Sequence, residues 1–480
     1  MRARFLPAGL ATAARDYARR RLAPLARRLT PRRVDLPLST WDLARDPGGS
    51  LTLDGVGLEG LLSRWGSPLH VLDARRLLDN ARRFTARPAG ATRACEVFYS
   101  YKTNPVPGVL RLLHAAGVGA EVVSAYELWL AFRLGVPPAA VVYNGPAKSE
   151  PSLREALERG VGLVNLNARP DVADLAALAR SMGKRPRVGL RVVVPGAWGS
   201  QLGERVDNGA AFRAFEEALS HPELEVVALH THRGAEIASR RQLETFLAPV
   251  LAFTDQLHER LGLELEVLDI GGSLACPTVA RHSPTTLRLS AAFGCDLLPR
   301  PPESVLSIDD YVAAVGALVE RHCAAAGRRP PRIFLEPGRA LTGNSQLLLC
   351  RVMGLRDPDE RGLAWAMLDA GVNVAEAVRG EYHQIFPLAA PDGAPQRLYR
   401  LAGPTCSPGD VLAPAWRLPE LARGDGVAIM DSGAYFVPFS TTFSFPRPGI
   451  VVVGHGAGAQ PIRRPEAFED MVALDGGGGS

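Results

Sequence analysis

A lysine directly follows a short apolar segment, where its amine could act as a nucleophile. Residues 97–101 are mostly β-branched or aromatic, Lys102 follows them, and Asn104-Pro105 then interrupts the strand. Burial at a strand end lowers the pKa of a lysine and frees its amine to form a Schiff base. The alternative is an edge-strand lysine that reaches solvent, and this segment alone favours that alternative.

Three other segments that end apolar stretches carry groups able to bind a ligand. Gly271-Gly272-Ser273 is a plausible phosphate cradle, because glycines let backbone N–H groups approach an anion. Glu336 and Arg339 put a carboxylate and a guanidinium on one turn, although a local ion pair would explain them equally well. His230 and His232 are two residues apart, so both side chains should point the same way. With no third ligand evident we expect no metal site, and we interpret His232 as a ring lying flat over a flat cofactor.

Eight short apolar segments precede or carry these residues, and most are followed by an amphipathic helical stretch. Such alternation is typical of a parallel sheet covered by helices, and eight units in roughly 240 residues predict a (β/α)8 TIM barrel. A doubly wound α/β sheet is the alternative. The carboxyl ends of barrel strands share one face, where active sites lie. The predicted strands are 97–101, 119–123, 140–143, 162–166, 187–193, 225–230, 265–270 and 331–335.

The sequence changes character after Arg339. Short alternating runs separated by Pro and Gly turns predict a mostly antiparallel β domain there. Residues 34–66 are polar and rich in turns. We therefore divide the chain into a basic N-terminal extension (1–40), a barrel (75–338), a β domain (41–74 plus 339–470) and a Gly-rich tail (471–480).

Composition places the chain among ordinary globular proteins, with 46% hydrophobic and 22% charged residues. The net charge of +5 comes from the first 33 residues, whose ten arginines and single acid, Asp16, leave a net charge of −4 for the remainder. A mildly acidic body does not favour nucleic-acid binding. The basic arm is interpreted as a disordered or loosely helical extension, with contact to a membrane, a partner or a carrier protein as the alternative.

The six cysteines show neither a CxxC pair nor metal-ligand spacing with histidine. We therefore expect reduced thiols in a cytoplasmic protein. No apolar run approaches the roughly 18 residues that span a bilayer.

A lysine amine, a phosphate cradle, a carboxylate and a stacking ring together describe a site for pyridoxal 5′-phosphate (PLP). In such a site the cofactor carries the carbanion chemistry, and the protein holds and tunes it.

The chain resembles the fold-type III PLP-dependent decarboxylases, the group of diaminopimelate and ornithine decarboxylases, from about Pro68 to Val453. The resemblance rests on motifs in the expected order: Tyr99-Ser100-Tyr101-Lys102-Thr103-Asn104, Glu121-Val122-Val123-Ser124, Asn144-Gly145-Pro146-Ala147-Lys148-Ser149, His230-Thr231-His232-Arg233-Gly234, Asp269-Ile270-Gly271-Gly272, Glu336-Pro337-Gly338-Arg339, Asp369-Ala370-Gly371, Gly403-Pro404-Thr405-Cys406 and Asp431-Ser432-Gly433-Ala434-Tyr435. Each motif is weak alone, but the ordered set is specific.

The resemblance implies a role for each matching residue. Lys102 would form the internal aldimine, His232 would stack on the pyridine ring, and Glu336 would pair with the ring nitrogen. Decarboxylation of an amino acid would then run through an external aldimine and a quinonoid. Cys406, from the second subunit of a head-to-tail homodimer, would protonate the carbanion. The phosphate and its surroundings would be held by Gly271, Gly272, Ser273, Gly338, Arg339 and Tyr435, with Arg339 and Tyr435 also near the substrate.

Departures from the family pattern lie mainly at the far end of the substrate. Ser407 stands where many relatives have an acid that recognises a distal amine. The arginine that clamps a second carboxylate in diaminopimelate decarboxylases is absent or displaced to Arg379. Ala235 replaces a serine that contacts phosphate, and Ser273 is expected to supply that hydroxyl. The cofactor machinery is therefore expected to be intact, and the substrate is expected to be a modified, conjugated or carrier-tethered amino acid.

Two other functions would use parts of the same pattern. A PLP-dependent racemase on the same barrel would need a second base, usually a tyrosine, and would lack the Gly-Pro-Thr-Cys motif, so Cys406 argues against it. A non-catalytic regulator would not need Lys102, His232, Glu336 and Cys406 together.

Overall fold

The computed structural model describes residues 35–92, 94–197, 201–234, 236–293, 305–359, 362–390, 394–456 and 458–475, with residues 17, 21–23 and 25–26 near the N-terminus. Most of the basic arm, Ala235, Cys295 and the Gly476–Ser480 end of the tail therefore lie outside the described residues. Among the described residues, no helix is both long and apolar enough to cross a membrane.

The described strands are defined here in chain order. They are β1 (Leu43–Arg45), β2 (Leu51–Leu53), β3 (Val56–Gly57), β4 (Leu69–Asp73), β5 (Glu96–Ser100), β6 (Gly119–Val122), β7 (Val141–Tyr143), β8 (Leu163–Leu166), β9 (Arg187–Val193), β10 (Glu204–Arg205), β11 (Glu225–Thr231), β12 (Val267–Asp269), β13 (Arg332–Leu335), β14 (Gln346–Arg356), β15 (Ala364–Leu368), β16 (Ile385–Pro387), β17 (Gln396–Ala402), β18 (Val411–Pro419), β19 (Gly426–Ile429), β20 (Gly449–Val453) and β21 (Gln460–Arg463).

The α-helices alternate with these strands through the first half of the chain. They are Leu58–Trp65, Ala74–Thr85, Pro107–Ala115, Ala125–Arg133, Glu150–Arg159, Pro170–Met182, Ala210–Ser220, Arg240–Leu261, Pro284–Phe293, Ile308–Ala325, Arg339–Thr342, Phe436–Phe439 and Phe468–Val472. Side chains of Ser124, Ser239 and Ser307 cap three of them by accepting hydrogen bonds from backbone N–H groups in the first turn.

Eight parallel strands close into a barrel in the order β5-β6-β7-β8-β9-β11-β12-β13, and β13 pairs with β5. The predicted (β/α)8 barrel is therefore confirmed, and every predicted strand matches an observed one within two residues at each end. Phe98, Val142, Leu163 and Phe334 belong to the buried apolar cluster between strands. Such a packed interior leaves the strand ends as the place for polar chemistry.

One barrel helix, Ala210–Ser220, was not predicted. It buries Ala211, Phe212, Ala214, Phe215 and Ala218, which recur at the spacing of one helix face. The signal was present but short, and it follows the loop that carries β10.

The chain forms two compact units. The barrel unit comprises Ala74–Cys276 and Glu303–Gly343, and the second unit comprises Met1–Asp73, Pro277–Pro302 and Asn344–Ser480. The segment Pro277–Pro302, which the sequence division kept with the barrel, groups with the second unit.

The second unit is built on a sheet with the order β18-β17-β15-β14-β4-β20-β21, and β19 pairs with both β14 and β16. Only the pairs β15–β17 and β4–β20 are parallel, so the prediction of a mostly antiparallel domain is confirmed. The turn-rich stretch 34–66 holds the small sheet β1-β2-β3 and the helix Leu58–Trp65. The core of the second unit consists of two apolar clusters, one that includes Trp416 and one that includes Trp41.

Candidate active site

Lys102 lies in a short 3-10 turn, Tyr101–Thr103, that directly follows β5. Its Nζ atom is 3.1 Å from Oε2 of Glu121, which is buried at the end of β6. Ser100 also donates its hydroxyl hydrogen to the same Glu121 oxygen, at 2.5 Å. The side chain of Lys102 reaches solvent, because 45% of it is exposed. The amine is thus held by a buried carboxylate while remaining accessible.

Two buried amides continue from Glu121 across the ends of the strands. Nδ2 of Asn144 donates hydrogen bonds to Oε1 of Glu121 at 3.0 Å and to Oε1 of Glu336 at 2.6 Å. Nδ2 of Asn165 donates to Oδ1 of Asn144 at 2.8 Å and to Oδ2 of Asp269 at 3.1 Å. A continuous hydrogen-bonded chain therefore joins Lys102 to Glu336, the predicted partner of a ring nitrogen.

Glu336 is buried directly after β13 and is the most heavily supported carboxylate of the site. Burial alone would raise the pKa of Glu336, but His230, a hydrogen bond from Asp269 and the Lys102 charge lower it overall. Burial and the adjacent Glu336 charge raise the pKa of Asp269 well above its usual value. The opposite directions of these two shifts favour a charged Glu336 and a protonated Asp269.

The sequence showed no third side chain that could join the two histidines in binding a metal ion. The structure places two such side chains next to His230. Its imidazole groups with Asp269 and Glu336, and their ligand atoms all lie within 4.8 Å of one another. Burial lowers the pKa of His230, and the neighbouring Glu336 opposes that shift. Asn144 and Asp269 already donate to Glu336, and a cation would have to displace those hydrogens. The cluster therefore fits an organic ligand better than a metal ion.

His232 follows β11 and lies against the glycine turn. A Cβ on Gly271 would stand 2.6 Å from Cδ2 of His232, and one on Gly272 would stand 2.6 Å from the Glu336 carbonyl oxygen. Nδ1 of His232 accepts a hydrogen bond from the N–H of Gly234 at 2.9 Å. Burial and the charges of Lys102 and Arg191 lower the pKa of His232 to about 3. A neutral ring therefore lies beside a backbone turn that only glycines permit.

Ser273 completes this turn in a left-handed conformation, with φ of 87°. Its Oγ atom lies 3.3 Å from the N–H of Gly234, from which it accepts a hydrogen bond, and 3.4 Å from Nδ1 of His232. Ser273, which is expected to supply the hydroxyl that Ala235 lacks, therefore lies in the glycine turn beside His232. Ala235 itself is outside the described residues.

The Glu336–Arg339 turn packs directly on the Lys102 turn. Pro337 accepts a hydrogen bond from the N–H of Ser100 at 3.3 Å, and a Cβ on Gly338 would stand 2.3 Å from Oγ1 of Thr103. Arg339 is half-buried and begins the following helical turn. The structure therefore brings Lys102, His232, the glycine turn, Glu336 and Arg339 together at the carboxyl end of the barrel.

Cys406, Ser407, Arg379 and Tyr435 belong to the second unit. Cys406 and Ser407 are exposed on a turn between β17 and β18. The turn is fixed by Asp410, whose Oδ2 accepts hydrogen bonds from the N–H of Thr405 at 2.9 Å and from its Oγ1 at 2.6 Å.

Arg379 is exposed beside this turn. It donates from Nη2 to the carbonyl oxygen of Gly409 at 3.4 Å and forms an ion pair with Glu376, also at 3.4 Å. Tyr435 has a φ of 67°, and its ring stacks on Phe439 with centroids 5.9 Å apart. Of the predicted substrate residues, Ser407 and Arg379 are therefore neighbours.

A cavity of about 460 Å³ opens next to Arg379 within the second unit. Its walls are mainly apolar and aromatic, and arginines lie among the polar lining residues. The residues that characterise it are Leu287, Trp365, Tyr382, Trp416, Arg288 and Arg400.

Sequence reasoning did not assign roles to several polar residues of the barrel. They share one feature, since each lies at or near the carboxyl end of a strand. A search for one polar residue at the end of each apolar run would have found them: Glu121, Asn144, Asn165, Arg191, His230 and Asp269.

These groups can be tested against the needs of PLP. The cofactor requires an amine for its aldehyde, a carboxylate for its ring nitrogen, backbone donors for its phosphate and a flat side chain against its ring. Lys102, Glu336, the Gly271–Ser273 turn and His232 offer these four functions at the carboxyl end of the barrel. The residues present fit the cofactor.

Comparison with known proteins also indicates a pyridoxal-dependent decarboxylase. Residues 78–343 match the sequence model of a family described as "Pyridoxal-dependent decarboxylase, pyridoxal binding domain". The diaminopimelate decarboxylase of Methanothermobacter thermautotrophicus is 29% identical over 442 residues, which cover 90% of this chain and 96% of that relative. The diaminopimelate decarboxylase of Aquifex aeolicus is 28% identical over 438 residues, covering 88% of this chain and 95% of the relative.

Solved structures share the fold. The crystal structure of diaminopimelate decarboxylase from Methanocaldococcus jannaschii superposes with a TM-score of 0.80 at 24% identity, covering 92% of this chain and 98% of the other. A lysine/ornithine decarboxylase from Vibrio vulnificus, solved with putrescine, gives a TM-score of 0.66 at 21% identity, covering 83% and 97%.

Proposed function

Since this chain belongs to the pyridoxal-dependent decarboxylases and uses pyridoxal 5′-phosphate, we propose that it removes the α-carboxylate of an amino acid or conjugate whose far end differs from that of diaminopimelate. The observation that carries the proposal is the hydrogen-bonded chain that joins Lys102, through Glu121 and Asn144, to Glu336. A racemase is not favoured by this family assignment.

Lys102 would attach the cofactor, because its amine is accessible and oriented by Glu121. Gly271, Gly272 and Ser273 would hold the phosphate, together with Gly338, Arg339 and Tyr435. When bound, PLP supplies the electron sink for breaking the bond to the carboxylate. The remaining chemistry concerns protons and charges that this chain controls.

Glu336 would pair with a positively charged ring nitrogen. Its ionised state is favoured by the Asn144 and Asp269 hydrogen bonds, which hold negative charge where the ring needs it. His232 would cover one face of the ring and exclude water there, since its lowered pKa keeps it neutral beside Lys102. Burying a neutral imidazole next to a cationic ring avoids the repulsion that a charged one would add.

Cys406 would return a proton to the α-carbon after CO₂ leaves. Its exposed position on the β17–β18 turn suits a role in the site of a second subunit. We therefore propose a homodimer with shared active sites, in which the partner subunit's Cys406 faces the Lys102 of this chain. Among the described residues no cysteine forms a disulfide, which suits a reducing, cytoplasmic location.

The substrate's far end would be uncharged, amide-linked, large and polar, or tethered to a carrier. Ser407 offers a hydroxyl where relatives place an acid, and a hydroxyl cannot neutralise a distal ammonium.

Diaminopimelate itself is the second candidate substrate. It is favoured by the names of the relatives and by Arg379, an exposed guanidinium next to Ser407 that could grip a second carboxylate.

A substrate screen tests the proposed function. The PLP-loaded protein is incubated with amino acids and their acylated or amidated conjugates, CO₂ is measured, and the amine product is identified by mass. Lys102→Ala is the control for background release. Racemisation without CO₂, or binding without turnover, would contradict the proposal.

A further inference from the structure

We propose that Asn144 and Asn165, named here the amide relay, are positioning residues that hold the carboxylates of Glu121 and Glu336 in place beside Lys102. The inference rests on the proposed function and deepens it, because the relay need touch neither the substrate nor the cofactor. The relay would fix where the two flanking carboxylates present their negative charge to the substrate and to the cofactor.

The geometry of Asn144 allows one amide to serve two acids. Its Nδ2 carries two hydrogens and lies 3.0 Å from a Glu121 oxygen and 2.6 Å from a Glu336 oxygen. Two carboxylates in one buried site repel each other, and one of them ordinarily takes up a proton. A shared neutral donor gives each acid a hydrogen bond without adding a proton or a charge.

Asn165 fixes the direction of that amide. It donates to Oδ1 of Asn144 at 2.8 Å, so a flipped Asn144 would lose this bond and turn its own oxygen toward both carboxylates. The position of Asn165 depends in turn on Gly189, where an added Cβ would stand 2.1 Å from Oδ1 of Asn165. The second hydrogen bond of Asn165, to Oδ2 of Asp269, ties the relay to the acid that retains a proton.

Several charged or titratable groups face the two glutamates. Lys102 and Arg191 interact with both of them, and Lys148 and Glu127 interact with Glu121. His230, His232 and Asp269 face Glu336. The cations offset part of the desolvation cost of the two buried carboxylates.

Removing the relay should therefore let the two carboxylates shift away from Lys102. Lys102 would lose part of the negative charge that favours a positively charged nitrogen at its position. With PLP attached, the pH at which that nitrogen loses its proton should fall, and this pH is read directly from the visible absorption band.

The experiment uses the full-length, PLP-loaded enzyme without substrate, scanned from acidic to alkaline pH. Asn144→Leu is expected to lower the midpoint of the absorbance change by about one pH unit or more, the size expected for losing hydrogen bonds to charged groups. Asn144→Ser keeps one hydroxyl donor and should give a smaller shift of the same sign, and it guards against misfolding of the leucine variant. PLP titrated into the apoenzyme, followed by fluorescence, is expected to bind about tenfold more weakly to Asn144→Leu.

Asn167→Leu is the matched control. Asn167 is also a buried amide next to β8, but it donates to the carbonyl oxygen of Gln201 at 2.9 Å and accepts from the N–H of Gly203 at 3.0 Å. Its loss should leave the midpoint within about 0.3 pH unit of the wild type, a change too small for a lost charge-assisted bond.

Three outcomes would overturn the inference. Wild-type midpoints in both Asn144 variants, or an equal shift in Asn167→Leu, would show that the amides are only structural, while decarboxylation by the wild type would still support the proposed function. A wild-type protein that forms no visible band would overturn the inference and the proposed function together.

Discussion

Oε2 of Glu121 lies 3.1 Å from Nζ of Lys102, and the other oxygen of the same carboxylate accepts a hydrogen bond from Asn144. Asn144 gives its second hydrogen bond to Glu336. The amine that would bind the cofactor and the carboxylate that would polarise it are therefore parts of one network, and substitutions in it should have graded, predictable effects.

Glu336→Gln should retain PLP but decarboxylate slowly. A neutral amide of the same shape cannot stabilise a positively charged ring nitrogen, and losing such a charge-assisted partner costs a few kcal/mol, roughly a hundredfold or more in kcat. Absorbance of bound PLP and single-turnover CO₂ release measure the two parts separately. Turnover close to that of the wild type would remove Glu336 from the mechanism.

Asp269→Asn should be tolerated far better than Asp269→Leu. The raised pKa of Asp269 favours a neutral donor to Glu336. An asparagine can also donate, but it keeps only one of the two hydrogen bonds that the Asp269 oxygens accept, from the N–H of Gly271 at 3.0 Å or from Asn165 at 3.1 Å. We expect less than about a tenfold loss of kcat for the asparagine and about a hundredfold for the leucine, which leaves Glu336 without that donor.

The same raised pKa predicts a pH effect on stability. A carboxyl that holds its proton more tightly when folded stabilises the fold below its unfolded pKa, and this contribution is lost as pH rises through the folded value. The free energy of unfolding of the wild type should therefore fall more steeply toward alkaline pH than that of Asp269→Asn. Parallel pH profiles from urea unfolding would show that Asp269 is ionised in the fold.

Mixing two inactive variants tests the shared active site. Lys102→Ala lacks the amine and Cys406→Ala lacks the proton donor, but a mixed dimer would contain one site with both residues intact. After subunit exchange, up to about a quarter of the wild-type activity should return. About half of the dimers are then mixed, and each mixed dimer has one intact site of two. Demonstrated exchange with no recovery would place both residues in the same subunit's site.

Ordinary diaminopimelate, lysine and ornithine should be poor substrates. A buried charged end without its partner costs several kcal/mol, enough to lower kcat/KM about a thousandfold. Steady-state kinetics decide the point, with Arg379→Gln as the informative variant. A kcat/KM of about 10⁴ M⁻¹s⁻¹ or more for any of the three would contradict the altered far end, and its loss in Arg379→Gln would identify the missing clamp.

Much of the barrel could be predicted from sequence because its strands are uniformly apolar and evenly spaced. A search for apolar runs does not detect the polar residues at the strand ends, because Glu121, Asn144 and Asn165 interrupt or flank those runs. Their partners are 19 to 192 residues apart along the chain, so no local pattern pairs them. The grouping of Pro277–Pro302 with the second unit depends on tertiary contacts and has no sequence signal either.

The exposure of Lys102 also depends on local structure that the apolar pattern does not show. The sequence pattern places the lysine at the end of a buried strand, but the 3-10 turn Tyr101–Thr103 lifts it from the strand, so that nearly half of the side chain is exposed. Its orientation comes from Glu121 on the neighbouring strand, a contact that depends on barrel closure.

The central claim is that Lys102 carries the cofactor, and Lys148 is the strongest competitor for that role. Lys148 donates to the carbonyl oxygens of Gly145 at 2.8 Å and Asn165 at 2.6 Å, and burial lowers its pKa to about 8, so its amine is partly unprotonated near neutral pH. The most direct test is borohydride reduction of the PLP-loaded protein, followed by peptide mass mapping of the wild type, Lys102→Ala and Lys148→Gln. The account predicts an adduct on Lys102 that persists in Lys148→Gln and disappears in Lys102→Ala. An adduct on Lys148, or one retained in Lys102→Ala, would contradict it.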